Sequence, residues 1–526
     1  MLSFNRQDGT HGQIDPRIAQ LRLQNTQIPI RRLPPELLTS IFLYARYNAS
    51  DGKRSHLALI LSWVSSYWRD VVLSDPAIWT LLDVESEDIV NSFLTRSRDS
   101  KLLVDLYRPS PNDFVPIIKE LHRLESLVLY CPEVDIDVGQ GMHDDSTLRP
   151  YWSNPAPYLR KLSLHYFPIP PNPFENLSPA LRDVELTWCA FDWSTFPFSN
   201  LTSLKIVCPE DQISPFHLLQ KIQQMPFLEN LELEGALLGI DGPGPARHRL
   251  LHLKSLEIRG ALPDTLVDFL QRVSVPATAQ LSVEPDNSGG LVPEMMAQLR
   301  ACLDRESRKL CKFRLGAHVT VLSFEVHQVL STSNEQGALQ PLLHGSFGEW
   351  EFDDSIAYEL FHHYDFSELT ELTLHSDHQE INTNIWTTIF TPLLHLTVLD
   401  LEGTFAASFI GHFSTSVRLI GDLLPPDMEI EDVARGQLRE RMMLPSLERL
   451  ALRRSGGFVE EFREERTKWP GEFAMFRFAL LVRQLVGCNL RELEVVRYSL
   501  TTQQVADLKR AVDNLVFEDE LSWGWR

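Results

Sequence analysis

The 526-residue chain is short of paired cysteine, of long apolar runs and of positive charge. Its cysteines, at 131, 189, 208, 302, 311 and 488, form no CxxC pair. Neither a disulfide framework nor a structural zinc site is therefore expected, and the thiols read as small buried apolar groups. No apolar run approaches the length of a membrane span, and Arg6, Asp8 and His11 stand where a signal peptide would carry its apolar core. No membrane association is expected, and the predicted location is cytoplasmic or nuclear. Lys and Arg number 49 against 71 Asp and Glu, a net charge of −22. Binding nucleic acid needs a basic face that neutralises phosphates, so no nucleic-acid partner is expected. The acidic balance instead favours solubility and basic partners.

Catalytic signatures are also missing. Gly52-Lys53 fails as a phosphate-binding loop, because Tyr47 stands five residues before Gly52 and Arg54 follows Lys53. No G-x-S-x-G elbow occurs. His362 and His363 with Asp353 and Asp354, and His375 with His378, are the densest metal-ligand candidates, yet neither set has a third helical ligand at a suitable spacing. No catalytic residue, metal or cofactor is predicted. Trp68, Trp79, Trp523 and Trp525 read as packing anchors and not as platforms for bases.

What the chain does have is a recurring L-x-x-L-x-L unit. It begins at Leu124, Leu159, Leu181, Leu201, Leu228 and Leu253, then at Leu310, Leu369, Leu396, Leu447 and Leu490, with a weaker copy over Ala279–Val283. The starts at 159, 181, 201, 228 and 253 lie 22, 20, 27 and 25 residues apart, close to the period of about 20–29 of leucine-rich repeats. The first leucine leads into a short strand, the next two point inward, and the residues between them share one outer face. Gly348–Phe352 is expected to add a strand. Helices are predicted between strands at Pro215–Met225, with Ser214 as N-cap, and at Pro263–Val273, Met295–Leu303, Phe473–Val486 and Thr502–Leu515. Ile89–Arg98 followed by Lys101–Leu106 reads as the first helix-and-strand unit, and the breaks at Gly239–Pro245 and Pro425-Pro426 read as loops. The strand expected after a unit is followed by the consensus cysteine clearly only at Cys189.

Ahead of the repeats lies a helical segment. Pro34 and Pro35 suit the first turn of a helix, and Glu36 complements its positive end. Within that helix Leu37, Ile41 and Tyr44 form one apolar line and Leu38 and Phe42 another. A short helix with two such lines buries one against its own domain and offers the other to a partner or the next domain. After the polar loop Asn48–Ser55, Leu57, Ile60, Leu61, Val64 and Trp68 mark the expected buried face of a second helix, and a third segment runs from Arg69 to Leu73.

This segment resembles an F-box of the type found in large fungal families, through Leu33-Pro34, Glu36-Leu37, Ile41-Phe42, Val64, Trp68-Arg69 and Trp79. It departs from the pattern in carrying Ser65 where a cysteine is usual and in the longer polar loop around Gly52. The resemblance implies docking on a Skp-family adaptor, and through it on a cullin-RING ubiquitin ligase, by Leu33, Pro34, Glu36, Leu37, Ile41, Phe42, Val64, Trp68 and Arg69.

The expected fold is thus α/β: a polar segment over 1–28, a three-helix F-box-like domain over 29–82, and an irregular leucine-rich repeat solenoid over 83–526 with a curved parallel sheet and outer helices. The expected function is that of a non-catalytic substrate receptor of an SCF-type ligase, with a protein target held on the repeats. Target contacts are predicted at Glu185, Glu232, Glu234, Glu257, Arg259 and Arg314, on a strand face that is mostly acidic in its middle. The alternatives are an interaction scaffold without ligase association and, ranked below it, an enzyme whose composite site the order of the chain hides.

Overall fold

In the computed structural model the described residues are, besides a few isolated positions, 27–49, 53–83, 86–109, 111–131, 151–167, 173–191, 198–209, 212–239, 247–276, 279–286, 310–317, 321–329, 339–348, 366–376, 389–421, 442–454 and 473–518. They form an α/β protein built on parallel sheet, divided into two compact units, Met1–Asp211 and Gln212–Arg526.

The leucine pattern acts through a recurring turn. The amide of the first leucine closes on the carbonyl three residues earlier: Leu159 on Ala156 at 3.2 Å, Leu181 on Ser178 at 3.1 Å, Leu228 on Met225 at 3.1 Å, Leu253 on Leu250 at 3.2 Å and Leu396 on Leu393 at 3.4 Å. The next two amides reach the preceding copy, as when Arg182 and Asp183 both donate to the Arg160 carbonyl, at 2.9 and 3.0 Å. The turn therefore hands each chain segment into parallel pairing with its predecessor. Leu159, Leu162 and Leu164 are all buried, and each leucine so removed from water contributes roughly 2 kcal/mol.

In the first unit the helices α1 (Pro35–Tyr47), α2 (Arg54–Val64) and α3 (Ser66–Ser74) precede β1 (Leu81–Leu82), α4 (Glu87–Ser97), β2 (Leu102–Tyr107), α5 (Pro111–Ile118), β3 (Leu124–Tyr130), β4 (Lys161–His165), β5 (Asp183–Thr187) and β6 (Ser203–Val207). Strands β1 to β6 pair in chain order, all parallel. Cys189, just past β5, is buried, and its thiol donates to the Leu164 carbonyl at 3.1 Å. Burial pushes its pKa up to about 12, which keeps it a structural thiol.

The buried face of α2 differs from the expected one. Ser55, Ala58, Leu61 and Ser62 face inward, while Ile60 and Val64 are 51% and 52% exposed. Asp83 explains the rotation: its carboxylate accepts from the Arg54 and Ser55 amides at 2.9 and 2.7 Å, and Ser55 Oγ donates to the Leu81 carbonyl at 2.9 Å. These bonds turn the first turn of α2 toward β1, and the small Ala58 and Ser62 side chains follow it inward. Ser65 serves as the N-cap of α3, accepting from the Trp68 amide at 3.2 Å.

In the second unit α6 (Pro215–Ile222) is capped as expected by Ser214 Oγ, which accepts from the His217 amide at 3.3 Å. Then follow β7 (Asn230–Glu234), β8 (His248–Arg249), β9 (Ser255–Ala261), α7 (Pro263–Arg272), β10 (Val273–Ser274) and β11 (Gln280–Pro285). Next come β12 (Leu310–Ala317), β13 (Val321–Val329), β14 (Leu339–Gly348), β15 (Glu371–Ser376), β16 (Val398–Gly403), α8 (Thr404–Gly421), β17 (Arg449–Arg453), α9 (Phe473–Val486), β18 (Glu492–Val496), α10 (Thr502–Ala511) and β19 (Asn514–Glu518). Strands β7, β9 and β11 are parallel, as are β15 through β19, while β8 and β10 form a separate short pair.

Between the two parallel runs the pattern breaks. β12, β13 and β14 form an antiparallel meander whose outer strands pair in parallel with β15 and β11 respectively. The cause is connection length. Only residues 318–320 separate β12 from β13, and a parallel pair needs a crossover of about a dozen residues or more. The helix expected over Thr502–Leu515 is also shorter than expected. It stops at Ala511, and Asn514–Glu518, rich in strand-forming Val516 and Phe517, pairs with β18. Gly348 ends β14, and the rest of the expected Gly348–Phe352 strand, the Met295–Leu303 helix except for position 298, and residues 353, 354, 362, 363 and 378 lie outside the described residues.

Candidate docking surfaces

On α1 the two apolar lines separate. Leu38 and Phe42 enter the core, whereas Leu37 and Ile41 are 53% and 47% exposed and Tyr44 continues their line into solvent. Phe42 corrects its assignment as a docking residue: at 1% exposure it packs against Trp68, ring centroids 4.8 Å apart, and is a core contact. Val64 is open, while Trp68 is half-buried beneath its indole's contact with Phe42. Leu33 is half-buried, its carbonyl accepting from the Tyr67 hydroxyl at 2.7 Å. Pro34, Glu36 and Arg69 are exposed, and Arg69 Nε donates to the Ser62 carbonyl at 2.9 Å.

The rotation of α2 adds exposed apolar residues to this end of the unit, Ile60 and Trp63 beside Val64. Trp63 was not assigned from the sequence. The signal for it was the i, i+3, i+4 spacing of Ile60, Trp63 and Val64, which reads equally well as a buried stripe. Ile28, Ile30, Arg31 and Val64–Trp68 line a shallow depression next to the start of α3.

Arg46 locks this layout from within. Its buried guanidinium donates to the carbonyls of Arg54 (2.9 Å), Leu81 (3.0 Å) and Ile78. Burial pulls its pKa down to about 10, against a smaller upward pull from Asp83.

The strand-face charges meet one another. Glu185 lies 3.6 Å from Lys205 Nζ and accepts from Ser163 Oγ at 2.9 Å. In the second unit Arg259 gathers Glu232 at 3.6 Å, Glu234 at 3.4 Å, Glu284 at 3.9 Å and Glu257. Burial pulls the Arg259 guanidinium down, but Glu257, Glu232 and Glu234 outweigh it and its pKa lies above the ordinary value. Of the acidic residues picked out by sequence, Glu232, Glu234 and Glu257 are thus brought together around Arg259, which was picked out with them, while Glu185 pairs separately in the first unit. Arg314 sits in β12 opposite Thr373 of β15 and Glu325 of β13, and its side chain lies outside the described residues.

A second network was missed as a unit. Arg453 reaches Asp400 at 2.7 Å and Glu494 at 3.0 Å, and Arg449 reaches Glu492 at 2.9 Å and Glu494 at 3.0 Å. Burial raises the Asp400 pKa, with Arg453 pulling the other way. The partners come from β16, β17 and β18, a juxtaposition that only the strand register creates.

No family model matches this chain, and no curated protein matches it in sequence. Among the described residues no group of three or more His, Cys, Asp or Glu side chains is placed to hold a metal ion, and no helix is long and apolar enough to cross a membrane.

Proposed function

We propose that the chain is a substrate-receptor subunit of an SCF-type cullin-RING ubiquitin ligase, an F-box-like module of α1 to α3 joined to a leucine-rich repeat solenoid. The observation that carries this reading is the open line of Leu37, Ile41 and Tyr44 on a helix whose other apolar line, Leu38 and Phe42, already fills the core. Stability of the unit alone gives no reason to keep large apolar side chains in water there, and each one covered by an adaptor adds roughly 1.5–3 kcal/mol to binding. A Skp-family adaptor is the proposed partner, with a cullin beyond it. The strand face is the proposed target surface. The chain's contribution is proximity, raising the local concentration of a target lysine near a ubiquitin carrier.

Co-purification with a Skp-family adaptor and a cullin is the test, comparing the full chain with Leu37→Asp. Capture by the full chain and its loss in the variant support the reading. Absence of adaptor from both, with partner proteins retained, refutes it and leaves the interaction scaffold.

A further inference from the structure

At the carboxyl ends of β2 to β5 four aromatic side chains form a ladder. Tyr107 stacks on Tyr130 at 4.9 Å and 9°, Tyr130 meets Tyr166 edge to face at 5.9 Å, and Tyr166 stacks on Trp188 at 6.1 Å and 2°. The ladder is not core: Tyr107 is 54% exposed and Trp188 53%. It is also held in spite of the backbone. Tyr166 and Trp188, each the first residue after its strand, have φ of +57° and +53°, in the left-handed region that bulky side chains avoid. In the second unit the residues at the same point of the leucine pattern, after β7 and in β9 and β16, are Gly235, Gly260 and Gly403, at φ of +55°, +62° and +71°. Glycine meets the demand of this turn without strain, but Arg108, Cys208 and Arg497, each also the first residue after its strand, adopt it as well, at +55°, +42° and +62°. It is therefore the exposure of the stacked rings and not the turn that singles out the ladder.

We infer that this ladder is a binding site for an extended, arginine-bearing peptide segment. The chain shows the mode of contact itself, with the Arg108 guanidinium 5.4 Å from the centre of the Tyr107 ring. The adjoining outer row carries the carboxylates of Asp105 and Glu185, 3.9 Å from Arg54 and 3.6 Å from Lys205. A partner guanidinium stacks on the rings and pairs with these carboxylates. Lysine, a compact point charge, gains less from the ring faces. The inference rests on reading the strand array as the target surface, and it does not depend on adaptor docking.

The test uses fluorescent peptides of about eight residues alternating Gly with Arg or Gly with Lys. At ~3.4 Å per residue these span the three strand spacings of ~4.8 Å under the ladder. The Arg peptide should bind the full chain at least about fivefold more tightly than the Lys peptide. Tyr107→Ala and Trp188→Gly should each weaken it about fivefold or more, with the net charge unchanged. Trp188→Gly should also melt at or above the wild-type temperature, because it relieves the turn. If that variant melts lower, Tyr107→Ala decides, since its backbone is ordinary strand. Equal affinity for the two peptides, or unchanged binding in the variants, means attraction by net charge alone and overturns the inference. Tighter binding of a proline repeat peptide overturns it in favour of a polyproline ligand. Leu37→Asp should leave peptide binding intact, which separates failure here from failure of the ligase reading.

Discussion

Phe42 and Trp68 pack with ring centroids 4.8 Å apart and planes at 55°, tying the middle of α1 to the start of α3. One helical turn thereby serves two purposes, with Phe42 facing the core and Ile41 beside it facing water.

That division predicts opposite outcomes for neighbouring substitutions. Phe42→Ala removes a buried ring and should lower stability by about 3–5 kcal/mol. Leu37→Asp changes an exposed position and should stay within about 0.5 kcal/mol of wild type while abolishing adaptor capture. Denaturant unfolding of both variants checks this, and a large stability loss in Leu37→Asp would contradict it.

Arg46 should be the most sensitive polar residue of the first unit. Arg46→Met removes the buried donor shared by the carbonyls of Arg54, Ile78 and Leu81, of which Leu81 keeps its bond from Ser55 Oγ, at a cost of about 3 kcal/mol. A chemical-denaturation midpoint near that of wild type would show that the three bonds contribute little.

Arg259 offers a test in salt. Arg259→Met leaves Glu232, Glu234, Glu257 and Glu284 facing one another, and since the site is partly exposed the loss should be only about 1 kcal/mol. Screening should shrink it further between roughly 0.01 M and 1 M salt, where the Debye length falls from about 30 to 3 Å. Melting curves across that range check the trend, and a salt-independent loss would assign it to packing. Charge reversal at Glu232 and Glu257 should weaken target capture if this face holds the target.

His165 gives stability a pH dependence. Burial is the largest influence and lowers its pKa below 6.5, with Glu185 and Asp105 opposing and Lys205 and Lys161 adding to the shift. In the unfolded chain the imidazole takes its proton as pH falls through 6.5, while the folded form resists it. Wild-type stability should therefore fall on acidification through that window. His165→Gln should lose less stability than wild type between pH 7 and pH 5, and parallel losses would remove His165 as a cause.

The strands were legible because their signal is local. A leucine that closes a turn and two that alternate inward need no information beyond six residues, so the copy at Leu228 and even the weak one at Ala279–Val283 appear as β7 and β11. Tertiary structure decided what lies between elements. The rotation of α2 followed from Asp83, beyond the end of α3, binding its first amides, and the buried face moved from Ile60 and Val64 to Ala58 and Ser62. The β12–β14 meander followed from a connection too short for a parallel crossover. The charges on the strand face read from sequence as an acidic surface, yet strand spacing set Arg259 among four glutamates. The aromatic ladder is the clearest case. Tyr107, Tyr130, Tyr166 and Trp188 are far apart in the chain, each at or just past the end of its strand, and only parallel register, which places successive strand ends side by side, makes them one surface.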